Sequence, residues 1–182
     1  TEGFGTLILA PHLAQLTRKH PHLSIDLLAL PRMLHLSRRE ADIVISLERP
    51  TRGSVIESRL SDYSLYLYGQ REYLARKPLV ATREDLRHHA FVSYVDDLLF
   101  TKELQFLDAL HQPERFAFRS TSITAQYEAV RAGAGLAVLP AFLADRDPVL
   151  TRVLPQEGQF TRTFWMSMPS ESKHLARMQV TW

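Results

Sequence analysis

The side chains most able to do chemistry near neutral pH are eight histidines, and they lack the spacing of a metal or catalytic site. No two of them stand in the H-E-x-x-H arrangement that places two imidazoles on one helix face beside a general base. We therefore predict no metal site and expect surface or capping roles. The eight are His12, His20, His22, His35, His88, His89, His111 and His174.

Other catalytic patterns are equally incomplete. Gly3 and Gly5 resemble half of a dinucleotide-binding fingerprint, but Ile8 holds the third glycine position. The chain contains no G-x-S-x-G nucleophile motif and no cysteine. The adjacent carboxylates Asp96 and Asp97 do not face each other unless a loop arranges them. The sequence predicts a protein that is not an enzyme, with no catalytic residue and no cofactor.

Hydroxyl-rich and glycine-rich segments fall where predicted strands end and helices begin, at residues 1–5, at Ser46 and at residues 120–122. Helix N-termini offer unpaired N–H groups and a partial positive charge, and ligands of open α/β sheets lie at the carboxyl ends of strands. These segments therefore predict a binding site for a small polar ligand. The alternative is that the hydroxyls are simple helix caps.

Composition indicates a globular domain, with 182 residues, 45% of them hydrophobic and 23% charged. The net charge of +2 is too small to indicate nucleic-acid binding. The longest largely apolar run, residues 135–144, contains Pro140 and is shorter than the roughly 20 residues of a membrane span. The first residues lack the basic start of a signal peptide. We expect a soluble domain that was cut from a longer chain.

Hydrophobic periodicity predicts alternating strands and helices, which is typical of an α/β fold. The apolar residues Leu9, Leu13 and Leu16 predict a helix that stops at Pro21, with Pro11 either in its first turn or at a kink. Predicted strands cover residues 24–30, 41–46, 63–68, 91–95, 116–119, 136–139 and 164–168. Further helices are predicted at residues 34–39, after Thr82, at 98–110, from Ile123 to a stop at Gly133, and at 173–178.

Several motifs in compatible order resemble the effector-binding domain of LysR-type transcriptional regulators. The most specific is the A-G-x-G-x-x-x-L-P pattern of residues 132–140, in its helix-to-strand context. The resemblance covers essentially the whole chain. Its other parts are residues 1–13, 20–21, 38–43, 49–50, 84–89, 119–122 and 162–165.

The resemblance implies a fold like that of type II periplasmic binding proteins, with two α/β lobes joined by two crossover strands at residues 63–68 and 164–168. Lobe I would comprise residues 1–66 with 164–182, and lobe II residues 67–163. The family's first strand of lobe I and its N-terminal helix-turn-helix domain would precede Thr1. We therefore expect DNA contact only through that missing domain.

The resemblance also implies a function: a small-molecule effector binds in the cleft between the lobes and thereby controls transcription. The alternative is a solute-binding protein of a transport system, which shares the architecture. We expect a homodimer or tetramer in the bacterial cytoplasm, without membrane contact. In the dimer, the helix at residues 7–19 of one chain would pack near the helix at residues 123–132 of the other.

The positions that follow apolar strands and precede helices are the predicted ligand contacts. A carboxylate at Glu2 would repel an anion, so the ligand would carry an amine or hydroxyl donor unless Glu2 only stabilises the first helical turn. The predicted contacts are Thr1, Glu2, Gly3, Leu30, Pro31, Ser46 and Leu47 from lobe I and Tyr94, Ser120, Thr121 and Ser122 from lobe II.

Overall fold

A computed structural model describes residues 2–30, 36, 40–51 and 53–182 and divides the chain into two compact units. Unit 1 comprises Thr1–Ser61 and Thr163–Trp182, and unit 2 comprises Asp62–Arg162. That these units are the two lobes of an effector-binding domain, predicted as residues 1–66 with 164–182 and 67–163, stays a prediction.

Helices and strands alternate along much of the chain, as the periodicity predicts. The helices are α1 (Glu2–Phe4), α2 (Ala10–Lys19), α3 (Arg71–Ala75), α4 (Leu107–Leu110), α5 (Ile123–Arg131), α6 (Ala141–Ala144) and α7 (Ala176–Thr181). The strands are β1 (Val44–Ser46), β2 (Val55–Gln70), β3 (Phe91–Ser93), β4 (Phe116–Arg119), β5 (Ala137–Pro140), β6 (Leu150–Arg152) and β7 (Gln159–Pro169). Strands β2 and β7 each run from one unit into the other.

In unit 1, strand β1 pairs antiparallel with β7, and Ser46 lies opposite Trp165. The side chains of Phe164, Met166 and Met168 are buried, as is Met178 of α7. Burial of these large apolar groups supplies the main driving force for this unit.

The first helical segment of unit 1 contains a π-helix, Gly5–Leu9, between α1 and α2. Pro11 lies in the first turn of α2 and has no N–H to donate, while the N–H of Ala10 reaches five residues back to the carbonyl of Gly5. The ring Nδ1 of His12 is 2.7 Å from the carbonyl oxygen of Ile8. Pro11 is therefore a first-turn residue of α2, and the irregular turn lies before it.

In unit 2, the second part of β2 pairs antiparallel with β5 and with β6. Strand β3 runs parallel to β4 on one side, and on the other side Phe91 bridges to Leu136. The core joins these strands to α5 and α6. It consists of Tyr68, Val92, Ile123, Val130, Ala137, Leu139, Leu143, Ala144 and Leu150.

The local stop and start signals read from the sequence are confirmed. Gly133 has φ +82, the left-handed conformation that glycine adopts after a helix, and α5 ends before it. Ser122 caps α5 by accepting the N–H of Ala125 at 3.0 Å. At Thr82, the carboxylate of Asp85 accepts the backbone N–H at 2.8 Å and the Thr82 hydroxyl at 3.1 Å.

Two predicted elements are wrong. Residues 24–30 form no strand in the described chain, because a strand needs a neighbour for its backbone groups and no described segment pairs with this one. Residues 98–110 form no continuous helix: the hydroxyl of Thr101 accepts the N–H of Glu103 and starts a separate 3₁₀ turn, and only Leu107–Leu110 is α-helical.

Further predictions differ in extent or fall on residues outside the described ranges. The strand expected at residues 41–46 is limited to β1, and the helix expected at 173–178 is α7, which begins at Ala176. Most of the helix expected at residues 34–39 lies outside the described residues. Within the described ranges, no helix is both long enough and apolar enough to cross a membrane.

Candidate ligand-binding site

The predicted ligand residues of unit 2 come together at one end of two parallel strands. Parallel strands place their carboxyl ends at the same edge, and the N–H of Ser120, just after β4, donates to the carbonyl of Ser93 at the end of β3 at 3.0 Å. Tyr94 follows Ser93 directly. The structure therefore brings Tyr94 and Ser120 to the same sheet edge, where α5 begins.

Hydrogen bonds between side chains and backbone groups hold the residues before α5 in a defined turn. The hydroxyl of Ser120 accepts the N–H of Ser122 at 3.1 Å, and the side-chain amide of Gln126 donates to the carbonyl of Ser120 at 3.0 Å. The hydroxyl of Ser122 already serves as the helix cap, as the alternative interpretation expects. A hydroxyl that accepts one bond still has a proton to donate, so Ser120 retains a donor for a ligand.

The sequence analysis did not identify two polar residues of α5 as part of this site. Gln126 is only 1% exposed and anchors the turn. The signal for it was readable, since Gln126 lies three residues after Ile123 and four before Val130, on the apolar stripe of the helix. The hydroxyl oxygen of Thr124 is buried and has no hydrogen-bond partner in the part of the chain that the structure describes. Such a group is costly unless something satisfies it.

The charged neighbours of this edge are Arg119 and Asp96. Their side chains approach to 3.5 Å, and both are about half exposed, so the pair is weak and accessible. The guanidinium of Arg119 also lies 5.0 Å from the centre of the Phe116 ring. A cation therefore lies directly before the serine turn.

In unit 1 the predicted residues are positioned less completely. Ser46 is 6% exposed, and its hydroxyl donates to the carbonyl of Glu48 at 2.7 Å, so its proton is used within the turn. Leu47 is buried at 8% exposure, whereas Leu30 is 38% exposed. Thr1 and Pro31 lie outside the described residues.

Glu2 and Gly3 are brought near β1 through stacked aromatic rings. Phe4, next to Gly3, stacks on Phe164 with ring centroids 4.1 Å apart, and Phe164 precedes Trp165, the register partner of Ser46. The start of α1 and the end of β1 therefore meet in the same region of unit 1.

A charged and aromatic cluster follows β1. The guanidinium of Arg49 lies 5.2 Å from the centre of the Trp165 ring and donates from Nε to the carboxylate of Glu57 at 2.7 Å. That hydrogen bond, more than the charge of Glu57, raises the pKa of Arg49. Arg49 is thus a fixed cation close to Ser46.

The described residues contain no group of three His, Cys, Asp or Glu side chains arranged to hold a metal ion. The prediction of surface or capping histidines is wrong for His89, which is only 4% exposed because its ring packs against Tyr73 and its Nε2 lies 3.1 Å from the carbonyl oxygen of Pro78. His35 lies outside the described residues.

Comparison with known proteins identifies the family. The model of the LysR substrate binding domain matches residues 1–182. The chain is 31% identical over 136 residues to the Mau operon transcriptional activator of Paracoccus denitrificans, covering 75% of the chain and 44% of that protein. It is 24% identical over 164 residues to an uncharacterized HTH-type transcriptional regulator of Haemophilus influenzae, covering 86% of the chain and 56% of that protein. The chain thus spans about half the length of these relatives.

Solved structures show the same fold. The regulatory domain of CrgA, a LysR-type transcriptional regulator from Neisseria meningitidis, superposes with a TM-score of 0.79 at 20% identity, covering 98% of the chain and 90% of that domain. The regulatory domain of the C227S variant of AphB from Vibrio vulnificus superposes with a TM-score of 0.79 at 18% identity, covering 97% of the chain and 89% of that domain. The chain therefore belongs to the LysR substrate binding domain family and has its type II periplasmic-binding-protein-like α/β fold.

Proposed function

We propose that this chain is the effector-sensing domain of a LysR-type, DNA-binding transcriptional regulator. The observation that carries the proposal is the family match over residues 1–182. The relatives named above are transcription regulators, which favours this function over the alternative of solute transport. Action on DNA through an N-terminal helix-turn-helix domain, in the bacterial cytoplasm, is part of the same proposal.

Sequencing the gene upstream of the codon for Thr1 tests the regulatory role. We expect it to encode a helix-turn-helix domain in the same reading frame. A secretion signal there instead would support the transport alternative and would contradict the regulator.

We infer that a small polar effector binds at the serine turn of unit 2, which comprises residues 120–122. Tyr94 and the serine turn share one sheet edge, Arg119 adds a cation, and the buried hydroxyl of Thr124 lies in the first turn of α5. N–H groups and hydroxyls at such an edge suit a carboxylate, carbonyl or hydroxyl of a metabolite. The unit 1 residues Glu2, Gly3, Leu30, Ser46 and Leu47 stay predicted contacts, as do Thr1 and Pro31.

The first variants separate a cap from a ligand contact. Ser122→Ala is expected to lower the free energy of unfolding by about 1 kcal/mol because the cap of α5 is lost, and Thr82→Ala provides a matched control at another cap. In calorimetric titrations with each hit from a metabolite panel, Ser120→Ala and Thr121→Ala should lower affinity by about tenfold, the effect of one lost hydrogen bond. Thr82→Ala should leave affinity unchanged. Unchanged binding in the Ser120 and Thr121 variants would place the effector elsewhere.

Thr124→Val is a sharper variant because it removes only the unpartnered hydroxyl and keeps the branched shape. We expect no loss of stability, since no hydrogen bond is broken within the described chain. A weaker affinity with unchanged melting temperature would assign the hydroxyl to the effector. Unchanged affinity would show that the effector does not contact Thr124.

We also propose that the protein forms a homodimer, with the tetramer as the larger alternative. In unit 1, helix α2 has no fully buried residue, and Leu7 is 40% and Leu28 50% exposed, so unit 1 presents apolar surface. On α5, however, Ile123 and Val130 are buried in the core of unit 2. Those two residues are not available to a second chain, so any contact made by α5 must use its other face.

Analytical ultracentrifugation tests the dimer. We expect a dimer at tens of micromolar, a range well above the dissociation constants of specific complexes. Leu7→Glu should shift the protein to a monomer, because a charge would be buried in the interface. Leu79→Glu is the control, since Leu79 is 83% exposed on unit 2. A monomeric wild-type protein would contradict the proposal.

A further inference from the structure

In unit 2, the buried imidazole of His89 has a hydrogen-bond partner at only one of its two ring nitrogens in the described chain. His89, just before β3, is 4% exposed, and its Nε2 lies 3.1 Å from the carbonyl oxygen of Pro78. Because a carbonyl only accepts, Nε2 carries the proton and donates it. Nδ1 is then a bare acceptor, and it is buried with no hydrogen-bond partner in the described chain. The packing therefore holds the neutral, Nε2-protonated form of His89.

Protonation of Nδ1 would place a donor and a charge where no described group accepts the hydrogen bond. The ring packs against Tyr73 with centroids 5.7 Å apart, and the Tyr73 hydroxyl already accepts the N–H of Ala90 at 3.2 Å. Burial is the main cause that lowers the pKa of His89, and the hydrogen bond to Pro78 opposes it. Arg115 adds positive charge on the Tyr73 side.

The charged groups around the imidazole do not offer a partner either. Lys77 and His88 oppose a positive charge there, and Asp85 is the one carboxylate that acts in its favour. An oxygen of Asp85 already accepts the N–H groups of Ala81 and Thr82, at 3.0 and 2.8 Å. The Asp85 carboxylate thus accepts N–H groups at the start of the 3₁₀ helix Arg83–His88 and does not neutralise a charge on the His89 ring.

We propose that His89 makes residues 77–90 an acid-sensitive element of unit 2, which opens locally when the imidazole is protonated. The charged ring moves to water, and its bond to Pro78 and its contact with Tyr73 are lost. The pKa of His89 is lower in the closed state than in the open state, so opening takes up a proton. Above about pH 6.5 the stability of residues 77–90 against opening is therefore complete, and it is lost as the pH falls toward the pKa of the closed state. The proposal does not depend on the regulatory function proposed above.

Hydrogen exchange of the full chain at pH 7.5, 6.5 and 5.5, corrected for intrinsic rates, tests the element. Below pH 6.5, protection in residues 77–90 should fall by up to about tenfold per pH unit, the limit for one linked proton. Protection in α5 should stay constant. His89→Gln keeps an Nε2–H donor at the same position but does not titrate, so its protection should not change with pH.

His111→Gln is the matched control. His111 is another partly buried histidine, its ring lies 5.5 Å from that of Phe91, and its Nε2 is also unpartnered in the described chain. This variant should keep the acid response of residues 77–90. An unchanged response in His89→Gln, a lost response in His111→Gln, or an equal loss of protection throughout unit 2 would overturn the proposal.

An NMR titration of the wild-type imidazoles keeps the proposal testable if His89→Gln does not fold. The His89 signal should titrate below the ordinary histidine range, or change only together with the loss of protection. A simple titration of His89 near pH 6.5, with residues 77–90 still protected, would overturn it.

Discussion

Replacing Gly135 with alanine is expected to lower the free energy of unfolding by about 3 kcal/mol, the upper end of the usual cost of overpacking. A Cβ at Gly135 would lie 2.3 Å from the carbonyl oxygen of Ala90 and 2.8 Å from its carbonyl carbon. Both are backbone atoms, so no side chain can rotate away. That carbonyl accepts the N–H of Leu136 at 2.9 Å, and the carbonyl of Leu136 in turn accepts the N–H of Val92 at 2.7 Å. The substitution therefore separates β5 from β3.

Thermal and denaturant unfolding measure this effect, and Gly133→Ala is the matched control. Gly133 has φ +82, so alanine there meets a backbone strain of about 1–2 kcal/mol, but the nearest described atom beyond its chain neighbours, Oε1 of Gln70, lies 3.4 Å from the added Cβ. The loss at Gly135 should clearly exceed the loss at Gly133. Equal losses would show that only backbone conformation, and not the close approach to Ala90, requires these glycines.

Replacing Asp147 with alanine is expected to cost about 3 kcal/mol, because it removes the acceptor of three donors at once. The Asp147 side chain is 7% exposed. It accepts the hydroxyl of Tyr127 at 2.7 Å, the N–H of Val149 at 2.9 Å and the Nε of Arg131 at 3.0 Å. These contacts attach α5 to the loop before β6. The melting temperature should fall by roughly 6–12 °C.

The pH range of this effect follows from the same contacts. Burial, and then the hydrogen bond to Asp147, raise the pKa of Tyr127 to about 12. Burial acts to raise the pKa of Asp147, but the bonds from Tyr127, Val149 and Arg131 together lower it. The carboxylate is therefore charged from neutral pH down to about pH 4, and the difference between wild type and variant should persist over that range.

Glu128→Gln is the control for the Asp147 variant. Glu128 pairs with the same Arg131 at 3.5 Å, but its side chain is 57% exposed. Exposed pairs add little, so the melting temperature should barely change. A Glu128 variant as unstable as the Asp147 variant would mean that the charge of Arg131, and not burial of the carboxylate, controls the effect.

The features that the sequence located well are those formed between near neighbours in the chain. The cap at Ser122, the stop at Gly133 and the helix start at Thr82 each depend on residues within a few positions, so their chemistry is visible in a short window. The serine turn lies at the predicted strand end for the same reason. Its role in binding an effector stays a prediction.

The features that the sequence missed depend on distant residues. The bond from Tyr68 to Asp145 joins residues 77 positions apart, and no periodicity indicates it. The burial of His89 depends on Pro78 and Tyr73, which lie 11 and 16 positions earlier. Residues 24–30 have the pattern of a strand but no neighbouring strand in the described chain. The local sequence pattern indicates only which secondary structure a segment favours. Burial and strand pairing also require a partner elsewhere in the chain.

Family, fold class and the start and stop of α5 therefore follow from the order of residues alone, because motifs and caps are local. Tertiary structure decides which polar groups are satisfied. It shows that Ser46 and Ser122 use their hydroxyls within their own turns, while the hydroxyl of Thr124 and the Nδ1 of His89 are left without partners in the described chain. The physical reason is that a hydrogen bond needs two groups at defined distance and angle, and only the folded chain sets that geometry.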